Sequence, residues 1–146
     1  MPLIHLKLSG APDVLLAQQL AAKLSQLTKD VLNKRSEVTA VTVSFVPDEL
    51  WFINLQSLAE LGMKSFHLSV SFGESTSLKS EKAKFIESVH TALSILIDRL
   101  HPVSYTTLQE LRADAYGYEG QTIENKFITN QNNNQANVAP GTMKTI

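Results

Sequence analysis

One residue in this chain could carry acid–base chemistry with no metal or cofactor. It is Pro2, directly after Met1. A small second residue permits removal of the initiator methionine, and a proline then exposed carries a secondary amine. An α-amino group titrates near pH 8, about the range where a base is useful, and burial in an apolar pocket lowers that value further. A neutral amine can accept a proton near pH 7, and the pyrrolidine ring fixes its direction. Tyr105, Tyr116 and Arg112 are the accompanying candidates. A phenol can donate a hydrogen bond to developing negative charge, and a guanidinium can hold an anion at two points. Each has a plainer alternative: Met-Pro opens many ordinary chains, Tyr105 suits cross-strand packing, Tyr116 suits simple packing, and Arg112 and Arg35 suit a solvated surface.

Pro2 can act only if an element holds it, and the pattern supplies one. Residues 2–8 (PLIHLKL) alternate apolar and polar, the period of a half-buried strand. Ser9 to Asp13 breaks the strand, and Asp13 is a fitting N-cap. From Val14 to Asn33, Leu16, Leu20, Leu24, Leu27 and Val31 recur at helical spacing. A β-branched strand follows at 38–46, then a turn at Pro47-Asp48 and a short apolar hairpin arm at 50–53. After a connector at 54–63 the same grammar returns: a strand at 66–72, a helix at 80–100, a strand at 104–111, and the closing turn Tyr116-Gly117-Tyr118-Glu119-Gly120.

The return has a constant offset. Leu20 and Phe85, Ala40 and Tyr105, and Trp51 and Tyr116 each differ by 65 positions. The chain therefore reads as two β-α-β repeats, at about 2–53 and 66–120. A right-handed crossover makes each strand pair parallel. The expected fold is α/β (α+β): one four-stranded mixed sheet with two helices on one face. The segment VTAVTVSF reads as apolar on both sides, so a second subunit is expected over the open face. Residues 128–146 are rich in Asn and Gln and poor in large apolar side chains. They are expected to be a disordered tail to a domain spanning 1–127.

Composition narrows the function. The 146 residues carry a formal net charge of −1, which argues against nucleic acid as a partner. The absence of cysteine excludes thiol nucleophiles, disulfides and thiolate metal sites. No apolar run approaches the roughly 20 residues of a bilayer span, and no signal-peptide pattern opens the chain, so no membrane partner is expected and the cytoplasm is the expected compartment. His5 and His67 take similar places in the first and third strands. No third ligand is suitably spaced, so both read as structural and no metal is expected. His90 and His101 read as helix-surface and helix-end residues.

The opening Pro-Leu-Ile-His-Leu-Lys-Leu-Ser-Gly, followed by a helix, a strand and an aromatic-containing hairpin, resembles 4-oxalocrotonate tautomerase. The doubled length is similar to that of trimeric members of the tautomerase superfamily. Residues 111–120 (LRADAYGYEG) resemble that family's strand-to-hairpin signature. The resemblance implies a cofactor-independent tautomerase that moves a proton in a small enol or keto acid, with Pro2 as general base, in a homotrimer. It aligns the family's pocket aromatic with Trp51. It also exposes departures. Two arginines that hold substrate carboxylates in that family align with Ala11 and Ala40, and the turn at 73–79 has only Lys79 as a basic residue. A dicarboxylate is therefore not the expected substrate. A hydratase, dehalogenase or decarboxylase on the same scaffold, or a non-catalytic trimeric ligand-binding protein, are the alternatives.

Overall fold

The computed structural model describes residues 2–143, with side chains as far as residue 135. Met1, whose removal the sequence reading invokes, lies outside the described residues.

The elements follow the predicted order. Strand β1 (Leu3–Ser9) leads into helix α1 (Val14–Leu32), and β2 (Ala40–Val46) follows a single 3-10 turn at Ser36–Val38. A small hairpin, β3 (Phe52–Ile53) and β4 (Gln56–Ser57), precedes the one-turn helix α2 (Leu58–Leu61). The second repeat runs β5 (Phe66–Gly73), α3 (Lys79–Leu96), β6 (Tyr105–Leu111), hairpin β7 (Gly117–Tyr118) and β8 (Gln121–Thr122), then α4 (Ile123–Met143). The second long helix stops four residues before the expected Leu100. Its C-terminal cap is the extended Ile97, and Leu100 instead bridges to Lys64.

The chain divides into two compact units, 1–110 and 111–146. In the first unit the strands lie in the order β2-β1-β5-β6. β1 runs parallel to β2, from Leu3↔Ala40 to Ser9↔Val46, and antiparallel to β5, from Leu3↔Ser71 to Leu8↔Phe66. The sheet is mixed, as expected, and β1 is central.

The core follows from alternation. Ile4, Leu6 and Leu8 of β1 point to one face with Phe66, Leu68, Val70 and Phe72 of β5, and all are buried. Leu20, Leu24 and Leu32 of α1 and Phe85, Val89 and Leu93 of α3 close over them. Asp13 caps α1 as predicted, its carboxylate accepting from the Leu16 amide at 3.0 Å. Thr28, buried mid-helix, donates its hydroxyl to the Leu24 carbonyl at 2.7 Å, so no polar group is stranded there.

The other face of the sheet corrects one expectation. Val41, Val43 and Phe45 of β2 pack on the core, whereas Thr42 and Ser44 face away beside His5. His5, Lys7, His67, Ser69, Thr107 and Gln109 share a shallow depression on that open face. Period-two alternation makes this a polar, solvated face, so VTAVTVSF is apolar on one side only.

The second unit repeats the first unit's hairpin. In the first, Leu58 N–H donates to Trp51 O at 2.9 Å and Ser57 Oγ caps the Glu60 amide at 3.1 Å. In the second, Ile123 N–H donates to Tyr116 O at 3.0 Å and Thr122 Oγ1 caps the Asn125 amide at 3.0 Å. All four positions are offset by 65. Both hairpin turns use two positive-φ residues, Asn54-Leu55 and Glu119-Gly120, as type I′ turns demand. Gly117 is required by contact, since a Cβ there would collide with the Gln121 carbonyl oxygen. Beyond Thr122 the structure continues as α4 through Met143, where composition led us to expect no order from 128. From Phe127 to Gln135 its side chains are exposed, so backbone bonding rather than packing forms the helix there. Residues 144–146 lie outside the described residues.

Candidate active site

Two regions of the first unit hold the groups of interest, and they lie at opposite ends of the sheet. Pro2 marks one end. It is buried at the start of β1, and its carbonyl accepts from the Ala40 amide at 3.4 Å. One step beyond the register pair Leu3↔Ser71, the neighbour across the sheet is Phe72.

A lysine that the sequence reading passed over is seated there. α1 ends on Asn33 in the left-handed conformation, which turns the chain back so that Lys34 N–H reaches the Thr28 carbonyl at 3.2 Å. Lys34 Nζ then lies 4.8 Å from the centre of the Phe72 ring and donates to Thr76 Oγ1 at 2.6 Å. Thr76 is held in turn by its own bond to the Gly73 carbonyl at 2.6 Å. Partial burial pushes the Lys34 ammonium below its ordinary pKa of 10.5, against the opposing pull of Glu81 and Glu110. Both acids have other partners: Glu81 accepts from the Leu78 amide at 2.6 Å, and Glu110 pairs with Lys82 at 3.1 Å. Lys34 is thus a half-buried cation over an aromatic face, at the same end of the sheet as Pro2. No spacing rule announces it, because α1's last turn, the β5 turn and β1 meet only in three dimensions.

The other end holds a cleft of about 560 Å³, lined by Lys7, Trp51, Phe52, His67, Val103 and Tyr105 among others. Trp51 is buried, and its ring centre lies 4.6 Å from that of His67. Tyr105 meets the other side of His67 edge-on at 5.8 Å. Burial, and then the charge of Lys7, lower the His67 imidazole below its ordinary 6.5. His67 pairs with Lys7, five residues along β1 from Pro2. At about 3.3 Å per residue, Pro2 is roughly 16 Å from this cleft.

The structure therefore brings Trp51 and Tyr105 together and leaves Pro2 apart from them. Tyr105 is 62% exposed rather than the half-buried packing residue its alternative required. Tyr116 and Arg112 lie in the second unit. Tyr116 borders a shallow depression with Gly117 and Gln121, and burial raises its phenol pKa. Arg112 makes a two-point ion pair with Asp114, at 3.2 and 3.1 Å. The His5 ring nitrogens bond Thr42 Oγ1 at 2.7 Å and Ser44 Oγ at 3.2 Å. Among the described residues no group of three potential ligands could hold a metal ion, and no helix is long and apolar enough to cross a membrane.

No family model matches the sequence, and no curated protein matches it. Solved structures do. Native fused 4-OT superposes with a TM-score of 0.74 at 16% identity, covering 84% of this chain and 96% of that one. The F6 fused 4-OT wild-type asymmetric trimer gives 0.72 at 14% identity, with the same coverage. A macrophage migration inhibitory factor-like protein from Entamoeba histolytica gives 0.65 at 15%, covering 83% and 97%. At these identities the likeness is one of fold, and it spans nearly the whole of each neighbour. With its mixed four-stranded sheet and its hairpins repeating at 65 residues, this chain has the doubled tautomerase fold.

Proposed function

We propose that the protein is a cofactor-independent tautomerase of small enol or keto monocarboxylates, with the Pro2 amine as general base. The observation that carries this reading is the placement of Pro2. It opens the central strand of a tautomerase fold, is buried, and lies at the same end of the sheet as the Lys34 cation. A buried setting disfavours the protonated form of an amine, which is the form a base must shed. Pro2 accepts the enol hydroxyl proton and returns it to the carbon that becomes sp³. One O–H bond breaks, one C–H bond forms, and nothing else is consumed. Lys34 holds the substrate carboxylate, the task that Ala11 and Ala40 cannot perform.

The protein works as a homotrimer, as the fused 4-OT neighbour is a trimer. The separation within one chain gives this a functional purpose. Pro2 and the Trp51–Tyr105 cleft stand roughly 16 Å apart along β1, so a site that uses both would draw them from two copies. The cleft rim carries exposed Leu50 and Phe52, apolar surface that a neighbouring copy would cover.

The test is ketonisation of phenylenolpyruvate by wild type and Pro2→Ala, on protein whose mass shows Met1 removed. Wild type is expected to accelerate the reaction, and the variant to lose most of that acceleration. Equal rates would end the reading and bring hydration, dehalogenation, decarboxylation or ligand binding forward.

A further inference from the structure

His67 differs from the other described histidines in having two aromatic neighbours, and like His90 it makes no hydrogen bond through its ring nitrogens. Both ring nitrogens of His5 are engaged, and His101 Nδ1 accepts from the Val103 amide at 2.9 Å. The His90 ring lies 6.4 Å from that of Phe66. His67 is fixed instead by ring contacts, between Trp51 at 4.6 Å and the Tyr105 edge at 5.8 Å. Among the described residues no hydrogen bond engages its nitrogens. It also borders two hollows on this side of the sheet, the cleft and the shallow depression. An exposed imidazole set between two aromatic rings at the edge of a cleft can present a hydrogen-bonding group to a ligand there.

We propose that the neutral imidazole of His67 donates an N–H hydrogen bond to the developing enolate oxygen of the substrate, while Pro2 of a neighbouring copy carries the proton. This rests on the reading of Pro2 as base and deepens it. The charged and titratable groups facing the ring are Lys7 and His5 on β1 and Tyr105 on β6. Among the described residues that line the two hollows none is an acid, and partial burial, then Lys7, oppose protonation of the ring. A neutral imidazole keeps one N–H to donate and gives up no proton, so the single O-to-C transfer stays balanced. A fixed donor aimed at charge that appears only in the transition state raises kcat more than it lowers KM.

His67→Phe tests this, because a phenyl ring preserves the stack between Trp51 and Tyr105 and deletes only the donor. His67→Gln restores an N–H of shorter reach. With phenylenolpyruvate, His67→Phe is expected to lose roughly 100-fold in kcat with KM changed less than about twofold, in the range for a lost oxyanion donor. His67→Gln is expected to retain about tenfold more activity than His67→Phe, which a purely structural role would not produce. The two copies are tested by unfolding Pro2→Ala and His67→Phe chains together and refolding them as mixed trimers. Random mixing leaves about one site in four with both groups intact, so about a quarter of wild-type activity returns from two inactive parents. A His67→Phe variant as active as wild type, beside an inactive Pro2→Ala, overturns the role of His67 and leaves the tautomerase reading standing. An active Pro2→Ala overturns that reading itself. Inactive parents whose mixture recovers nothing overturn the placement of the two groups in different copies.

Discussion

Lys34→Met should separate function from stability. Methionine keeps the unbranched stem over the Phe72 ring and removes the ammonium. On the stability side, the losses are a hydrogen bond to Thr76 at an exposed position and a cation–π contact at 4.8 Å. Each is worth under about 1 kcal/mol in such surroundings. Thr76 keeps its own bond to Gly73, so no partner is orphaned. The gain is relief of a desolvated charge, and the lowered pKa of Lys34 says that the fold on balance disfavours the ammonium. The net effect should lie within about 1 kcal/mol of zero and lean towards stabilisation, a Tm unchanged or raised by roughly 2–4 °C. The sign with pH is definite. The folded-state pKa lies below the unfolded 10.5, so between these values the unfolded chain binds more protons, and wild-type stability rises as pH climbs towards 10.5. Lys34→Met removes that rise. On the activity side, a charge-assisted hold on a carboxylate in a half-buried site is worth about 1.5–3 kcal/mol. Its loss costs roughly 10- to 150-fold in kcat/KM. Phenylenolpyruvate kinetics and calorimetry on the same preparations give both numbers. Unchanged kcat/KM, or a fall in Tm matching the fall in activity, would refute the assignment of Lys34 to the substrate.

Two further predictions concern the scaffold. Leu55 occupies the left-handed region at φ 65° and is 96% exposed, while its repeat counterpart is Gly120. Leu55→Gly converts the turn to Asn-Gly and should stabilise the fold by about 0.5–1 kcal/mol, read as a higher urea midpoint at unchanged slope; a lower midpoint would show that the exposed leucine is itself buried by a partner. Leu24→Ala, at a fully buried position between the helices and the sheet, should cost about 2–5 kcal/mol and lower Tm by more than 5 °C in thermal unfolding; a loss under 1 kcal/mol would mean that the core closes over the cavity.

The sequence by itself determined the repeat in its helices, second strands and hairpins, while β1 and β5 begin 63 positions apart. β2 and β6 both begin 65 positions apart, at Ala40 and Tyr105, as do the hairpins at Phe52 and Gly117. This was legible because alternation, helical spacing and turn residues are local patterns, and each half writes them in the same order. The Asp13 cap and the core leucines of α1 were legible for the same reason. What the tertiary structure decided is which of these groups meet. Trp51 and Tyr105 share a cleft because the segment that follows β2 and the start of β6 lie at the same end of the sheet, while Pro2 starts β1 at the opposite end. No local pattern encodes that roughly 16 Å. His5 and His67 look equivalent in sequence, two polar residues in matching strands, yet cross-strand neighbours give one two hydroxyl partners and the other two aromatic rings. Lys34 reads as an ordinary charge after a helix until the left-handed Asn33 and the β5 turn lay it over Phe72. Strand pairing and chain direction set such contacts between residues far apart in the chain, and those are properties of the whole sheet.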